Sequence, residues 1–264
     1  CMIDSSGPGR ARVLITRPAG QSQALCDAVA ALGCNTHTQP LLTLQALPRL
    51  SPAQRQHLVD LDLYQHVVFV SGNAVKFGME CIEDYWPQLP AGIHWYAVGD
   101  ATAAMLQDFG IEAITPGPVM SSEGLLALPQ LQAVAGQRIL IVKGEGGRAT
   151  LAEMLSVRDA KVDELACYRR CCPELAPGEL AARLSRWRIQ LVMISSGEGL
   201  ANMQALLSPQ ETSKFRDIHL IVPSPRVAEM ARAAGFERVI VAENASDKAM
   251  VSALETWQAR ENTQ

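Results

Sequence analysis

RILIVKGEGGRATLAEMLSVRDAKVDELACYRR, from Arg138 to Arg170, runs through an extended, a helical and again an extended pattern. Ile139 to Val142 is an unbroken apolar run, the pattern of a buried strand. Lys143-Gly144-Glu145-Gly146-Gly147-Arg148 is a glycine-rich turn, beyond which Leu151, Met154 and Leu155 recur at helical spacing on one face. After Lys161 a second extended stretch, Val162 to Cys167, ends on Tyr168, Arg169 and Arg170. A strand, a glycine turn and a helix start together can bind anions, because free backbone N–H groups point out of the turn. A tyrosine closing the next extended segment can supply a proton, although such a residue commonly packs its ring and leaves the hydroxyl wet.

The same alternation extends in both directions. Upstream, Arg12 to Thr16 reads as a strand, and Gln21 to Leu32 as a helix turning Ala24, Leu25, Ala28, Val29 and Leu32 inward before Gly33. Thr36 to Leu47 is extended but holds Pro40, which suits an edge or a connector. Ser51-Pro52 opens a helix, and Val67 to Val70 is an apolar strand of the parallel-sheet type. Ser71-Gly72-Asn73 leads into a helix ending near Trp86. His94 to Val98 and Ile111 to Ile114 read as strands around a helix from Ala103 to Phe109, with another helix from Ser122 to Leu128. Downstream, strands at Gln190 to Ile194, Ile218 to Val222 and Val239 to Ala242 alternate with helices, the last capped by Ser246. Short strands alternating with helices predict an α/β fold with parallel sheets.

The chain also repeats itself. Arg12-Val-Leu-Ile matches Arg138-Ile-Leu-Ile at an offset of 126 residues, and VVFVSGNAV from Val67 matches LVMISSGEG from Leu191 at 124. Gly110 and Gly235, each closing a helix, lie 125 apart. Features in the same order at near-constant spacing predict a duplicated unit. The extended connectors of the two halves predict a two-stranded linker, residues 36–49 and 159–173. One lobe is then discontinuous (10–35 plus 174–264) and the other is 50–158.

With 264 residues, 48% of them hydrophobic and 19% charged, the chain has the composition of a globular protein. A net charge of −4 gives no basic field for nucleic acid or an anionic membrane. Seven cysteines, odd in number and without a CxxC pair, and no signal-like segment predict a reducing cytoplasm. Cys167, Cys171 and Cys172 have no histidine at metal-ligand spacing, so no metal is expected. No apolar run reaches the ~18 residues of a membrane span. Residues before Arg10 read as a loose extension.

Ligands of open parallel sheets bind beyond the carboxyl ends of the strands. The turns there carry Arg17, Ser71, Gly72, Asn73, Gly99, Thr102, Lys143, Gly144, Gly147, Arg148, Ser195, Ser196, Gly197, Ser224 and Arg226. Small hydroxyls, glycines and single cations suit a ligand with several carboxylates or phosphates. Serine and glycine in such turns also serve simply as helix caps. Gly144 to Ala149 fits G-x-G-x-x-A, a dinucleotide pattern, but the acids about 20 residues on, Asp163 and Glu164, begin their strand rather than end it. A nucleotide-dependent enzyme and a two-lobed, non-catalytic binding protein therefore stand as alternatives.

LITRP (Leu14 to Pro18), VFVSGNAV (Val68 to Val75), AVGDAT (Ala97 to Thr102), KGEGGR (Lys143 to Arg148) with Tyr168 downstream, SSGEGL (Ser195 to Leu200) and VPSPRVAEMARAAG (Val222 to Gly235), in that order, resemble the uroporphyrinogen-III synthase family. The resemblance implies two flavodoxin-like parallel-sheet lobes joined by a two-stranded linker. It implies cyclisation of the linear tetrapyrrole hydroxymethylbilane, with inversion of ring D and loss of water, and no cofactor. It also implies that backbone amides in the turns of both lobes hold the substrate's carboxylates, with Tyr168 as candidate acid. The expected partner is that substrate alone, with no nucleic acid and no membrane, and the expected state is a monomer. Ser224 stands opposite Gly99 and Val227 opposite Thr102, so side-chain binding is not expected to be equal in the two halves.

Overall fold

The computed structural model describes residues 9–263; the extension expected before Arg10 falls almost wholly outside them. Strands follow the chain as β1 (Arg12–Ile15), β2 (Asn35–Thr38), β3 (Thr43–Ala46), β4 (His66–Phe69), β5 (His94–Ala97), β6 (Arg138–Gly144), β7 (Lys161–Cys171), β8 (Leu191–Met193), β9 (His219–Val222) and β10 (Val239–Val241). The helices are α1 (Gln23–Ala31), α2 (Pro52–Val59), α3 (Gly72–Tyr85), α4 (Asp100–Gln107), α5 (Ser122–Leu126), α6 (Thr150–Val157), α7 (Glu179–Arg186), α8 (Gly197–Leu206), α9 (Pro209–Lys214), α10 (Pro225–Ala233) and α11 (Asp247–Glu261).

Two compact units result. Unit 1 runs to Thr43 and resumes at Cys171, while unit 2 is Leu44–Arg170. The sheet of unit 1 has the order β10-β9-β8-β1-β2, with every neighbouring pair parallel. Counted within the unit this is 2-1-3-4-5, the flavodoxin order. Alternate residues face opposite sides, as the pleat requires. Leu14, Val192, Leu220 and Val222 join one core layer, and Val13, Ile15, Leu191, Met193 and Ile221 the other. Helices cover both faces, which is why the inner strands β1, β8 and β9 carry apolar residues on both sides.

Unit 2 has the order β3-β7-β6-β4-β5, with β7, β6, β4 and β5 running parallel. Val67, Phe69, Leu140, Val142 and Leu165 fill one layer, and Val68, Tyr96, Ile139 and Ile141 the other. The repeats do not each make their own sheet. β1 of the first repeat pairs with β8 of the second, while β6 and β7 of the second pair with β4 and β3 of the first.

Several sequence expectations shift. Thr36 to Leu47 is two strands rather than one connector, because Pro40 has no N–H to continue a ladder and the chain turns at Pro40–Leu42. β2 belongs to the first sheet and β3 to the second. Ile111 to Ile114 contributes only a bridge between Tyr96 and Ile114. Ala24, expected inside, is exposed, and Met154 is 41% exposed while Leu151 and Leu155 are buried. Helix α4 starts at Asp100 rather than Ala103, with extended Gly99 as its cap. Helix α9 answers no expectation from the sequence, although Ser208 and Glu211 form a capping box there with Pro209 at the first helical position.

Candidate active site

Within unit 2, a cleft of about 250 Å³ opens at the carboxyl ends of β4 and β6. Ser71, Lys143, Gly144, Gly147, Arg148 and Tyr168 all line it, with Ile141 and Leu151 as its apolar floor. In the sequence these six lie in two separate turns and at the end of one extended stretch; the parallel pairing of β4, β6 and β7 brings them together.

Tyr168 reaches this position through an irregularity. Lys143 pairs with Ala166 but Gly144 pairs with Tyr168, so Cys167 is an extra residue in β7. The Glu145 N–H donates to the Tyr168 carbonyl at 2.8 Å, fixing the turn to the strand beyond the bulge. The tyrosine is only 2% exposed. Its ring stacks on Phe77 with centroids 5.1 Å apart. On its other flank is Gly144, where a Cβ would lie 2.7 Å from ring atoms Cε2 and Cζ. The Tyr168 hydroxyl is 3.2 Å from Ser71 Oγ. Ser71 caps α3, its Oγ accepting the Ala74 N–H at 3.1 Å. Burial pushes the neighbouring Cys167 thiol up to about 12, which leaves it an unreactive packing group.

The cations of the cleft have partners of their own. Lys143 Nζ meets Glu164 at 2.6 Å, and Arg148 meets Glu123 at 2.8 Å on the exposed rim. Hydrogen bonding from its own backbone N–H, and then Arg148, hold the Glu123 carboxyl below the usual range. An exposed pair of this kind contributes little to stability. Glu123 and Glu164, like Phe77, carry no signal of this role in the sequence, because each lies on an element remote from its partner. Gly146 and Gly147 adopt left-handed φ values of 71° and 83°, which explains two glycines of the turn on backbone grounds.

Four further predicted residues of unit 2 do not line the cleft. Gly72 opens α3 with Met105 Sδ 2.8 Å from where its Cβ would be, and Asn73 follows it. Gly99 caps α4 under Met120, and Thr102 is buried in the first turn of that helix. In unit 1, Arg17 forms an ion pair with Asp247 at 2.7 Å and donates to the Ala245 carbonyl at 2.8 Å. Ser196 and Ser224 cap α8 and α10. Ser195 Oγ is buried without a hydrogen-bond partner. Gly197 leaves room for Arg226, whose Nη2 lies 3.1 Å from the position of an added Cβ. That exposed guanidinium makes no ion pair among the described residues and donates to Met230 Sδ at 3.5 Å.

The dinucleotide reading loses its support here. Asp163 is bound to the Tyr64 hydroxyl at 2.7 Å, Glu164 is bound to Lys143, and Gly144 makes room for an aromatic ring. Among the described residues no three His, Cys, Asp or Glu side chains gather as metal ligands, and no helix is long and apolar enough to cross a membrane.

Comparison with known proteins agrees with the fold. The family model described as uroporphyrinogen-III synthase HemD matches residues 23–252. The uroporphyrinogen-III synthase of Escherichia coli K12 is 33% identical over 252 residues, covering 92% of this chain and 99% of the relative. That of Salmonella typhimurium LT2 is 33% identical over 246 residues, with the same coverage. Among solved structures, a mutant uroporphyrinogen III synthase from Thermus thermophilus superposes with a TM-score of 0.60 at 16% identity, covering 96% of this chain and 100% of that one. The Helicobacter pylori uroporphyrinogen-III synthetase gives 0.60 at 13% identity, covering 94% and 100%. Matched across most of its length, the chain belongs to the uroporphyrinogen-III synthase family.

Proposed function

We propose that this protein cyclises hydroxymethylbilane to uroporphyrinogen III in tetrapyrrole biosynthesis, with inversion of ring D and release of water. Family membership carries the reaction. The observation that carries the chemistry is a single tyrosine hydroxyl brought to a cleft lined by a glycine turn and the first residues of a helix.

In this reading Tyr168 gives its proton to the hydroxyl that leaves the substrate's terminal carbon, and the resulting azafulvenium cation is the electrophile. Attack at the substituted carbon of the terminal pyrrole then leads to ring closure through a spiro intermediate. The free substrate also closes by itself to the wrong isomer, so the enzyme's task is chiefly to hold a bent chain in one geometry. The turn from Lys143 to Arg148, with Gly72, Asn73, Gly99, Thr102 and the backbone N–H of Ser71, is assigned to substrate carboxylates in unit 2. Arg17, Ser195, Ser196, Gly197, Ser224 and Arg226 are assigned the same chemistry in unit 1. Backbone N–H groups carry most of it, since Lys143, Arg148 and Arg17 already hold carboxylates of the chain. The linker joining the two lobes is assigned to the crossings at Thr43–Leu44 and Arg170–Cys171, inside residues 36–49 and 159–173. No cofactor enters this scheme. A single chain supplies both sets of turns, which supports action as a monomer, and the free thiols among the described residues support a reducing cytoplasm.

Freshly generated hydroxymethylbilane incubated with the protein is expected to give predominantly the III isomer on chromatographic separation; predominance of the I isomer overturns the assignment. Tyr168→Phe is expected to lower kcat by about 100-fold while costing about 1 kcal/mol of stability through the lost hydroxyl contact. An unchanged kcat would leave the tyrosine a packing residue.

A further inference from the structure

We propose that Ser71 is a positioning residue for the acid step: its hydroxyl donates to Tyr168 Oη, turning the phenol proton into the cleft. The proposal rests on the assignment of Tyr168 as the acid, and it gives Ser71 a role other than holding a carboxylate.

A serine hydroxyl has one proton to give and two lone pairs. One lone pair of Ser71 Oγ is occupied by the Ala74 N–H at 3.1 Å, the contact that caps α3. Tyr168 Oη stands 3.2 Å from the same atom, and no other hydrogen bond to the phenol is present among the described residues. The ring itself cannot swing away, because Phe77 stacks on it and Gly144 approaches it closely. Two arrangements then remain. If Tyr168 donates to Ser71, the phenol proton points at the helix cap and cannot reach a substrate. If Ser71 donates to Tyr168, the phenol proton is free to turn toward the cleft, which both residues line.

The second arrangement also serves the charge that develops. As Tyr168 Oη passes its proton to the departing hydroxyl, the carbon–oxygen bond breaks with its electron pair on oxygen and water leaves. The pyrrole nitrogen lone pair fills the vacated carbon to give an azafulvenium cation, and a phenolate remains. That phenolate would already accept the Ser71 O–H, beside the positive N-terminal end of α3. The proton shed when the macrocycle closes restores the phenol, so atoms and charge balance over a turnover. A cap fixed to a helix is well suited to orient a proton, since Ser71 has an extended backbone held by the first turn of a helix of 14 residues.

The test compares Ser71→Gly, Ser71→Thr, Tyr168→Phe and Ser71→Gly/Tyr168→Phe in the full chain with freshly generated hydroxymethylbilane. Glycine keeps helix capping within a small margin while deleting the hydroxyl, and threonine keeps both. Melting curves and circular dichroism establish that each protein is folded. Ser71→Gly is expected to lower kcat about tenfold, the worth of one hydrogen bond to a charged group, with KM within twofold. Ser71→Thr is expected to restore most of kcat. In the Tyr168→Phe background, removal of the hydroxyl is expected to change kcat less than twofold. A loss of equal size in both backgrounds, a change confined to KM, or a threonine variant as slow as the glycine one would each overturn the proposal. A Tyr168→Phe protein with unchanged kcat would overturn the acid assignment itself, and this outcome is read from that variant alone.

Discussion

Gly144 and Tyr168 constrain each other. The ring occupies the space that a side chain at 144 would need, so Gly144→Ala must displace either the turn or the ring. Overpacking of this kind costs about 1–3 kcal/mol. A lower urea midpoint together with reduced kcat is the expected result, and wild-type values for both would contradict this reading of the glycine. The sequence shows a glycine-rich turn but not this reason for it. Gly144 has no left-handed φ, unlike Gly146 and Gly147, and its need arises from a bulge that no local pattern announces. The tyrosine is legible as a polar tip ending an extended stretch. The pairing of Lys143 with Glu164 and Arg148 with Glu123 is not, because those contacts depend on how β7 and α5 are placed.

At the scale of elements, the serines of the predicted binding turns have a definite structural duty. Ser71, Ser196 and Ser224 each begin a helix that follows a strand, and each accepts the N–H three residues on. The hydroxyl protons of Ser196 and Ser224 stay available, so capping and ligand binding are compatible uses of one group. Ser224→Ala is therefore expected to cost about 1 kcal/mol in urea unfolding and Ser224→Gly only a few tenths. Unchanged stability in the alanine variant, with a raised KM, would show the hydroxyl devoted to substrate instead. Elements with unbroken apolar runs, such as β4, β6 and β9, are plain in the sequence. Boundaries set by backbone groups are less so: α4 begins three residues early because extended Gly99 can cap it without any side chain.

For the whole molecule, buried or partly buried histidines tie stability to pH in both units. Burial, followed by Arg12, lowers the pKa of His37; burial also dominates for His219. His66 is 4% exposed, hydrogen-bonded to Tyr96 at 2.8 Å and Gln137 at 2.6 Å, and burial followed by nearby His94 holds its pKa down despite Gln137. With folded values below the ordinary 6.5, the unfolded chain takes up protons first as pH falls. This contribution is complete above 6.5 and is lost below it. The urea midpoint should drop between about pH 7.5 and about pH 5.5, and His66→Gln should flatten the slope; a midpoint that rises on acidification would contradict it. The duplication is legible from offsets near 125 residues, as is the expectation that one lobe takes both ends of the chain. How the strands are dealt is not, since pairing leaves no mark in a repeat. Each repeat brings strands to both sheets, so the architecture is that of two modules that have exchanged halves and been tethered, a domain-swapped dimer written as one polypeptide. A single break in the exposed turn at Gly136 would thus separate no sheet from its strands: each fragment would still be stitched into both units, and neither could leave without unfolding the other.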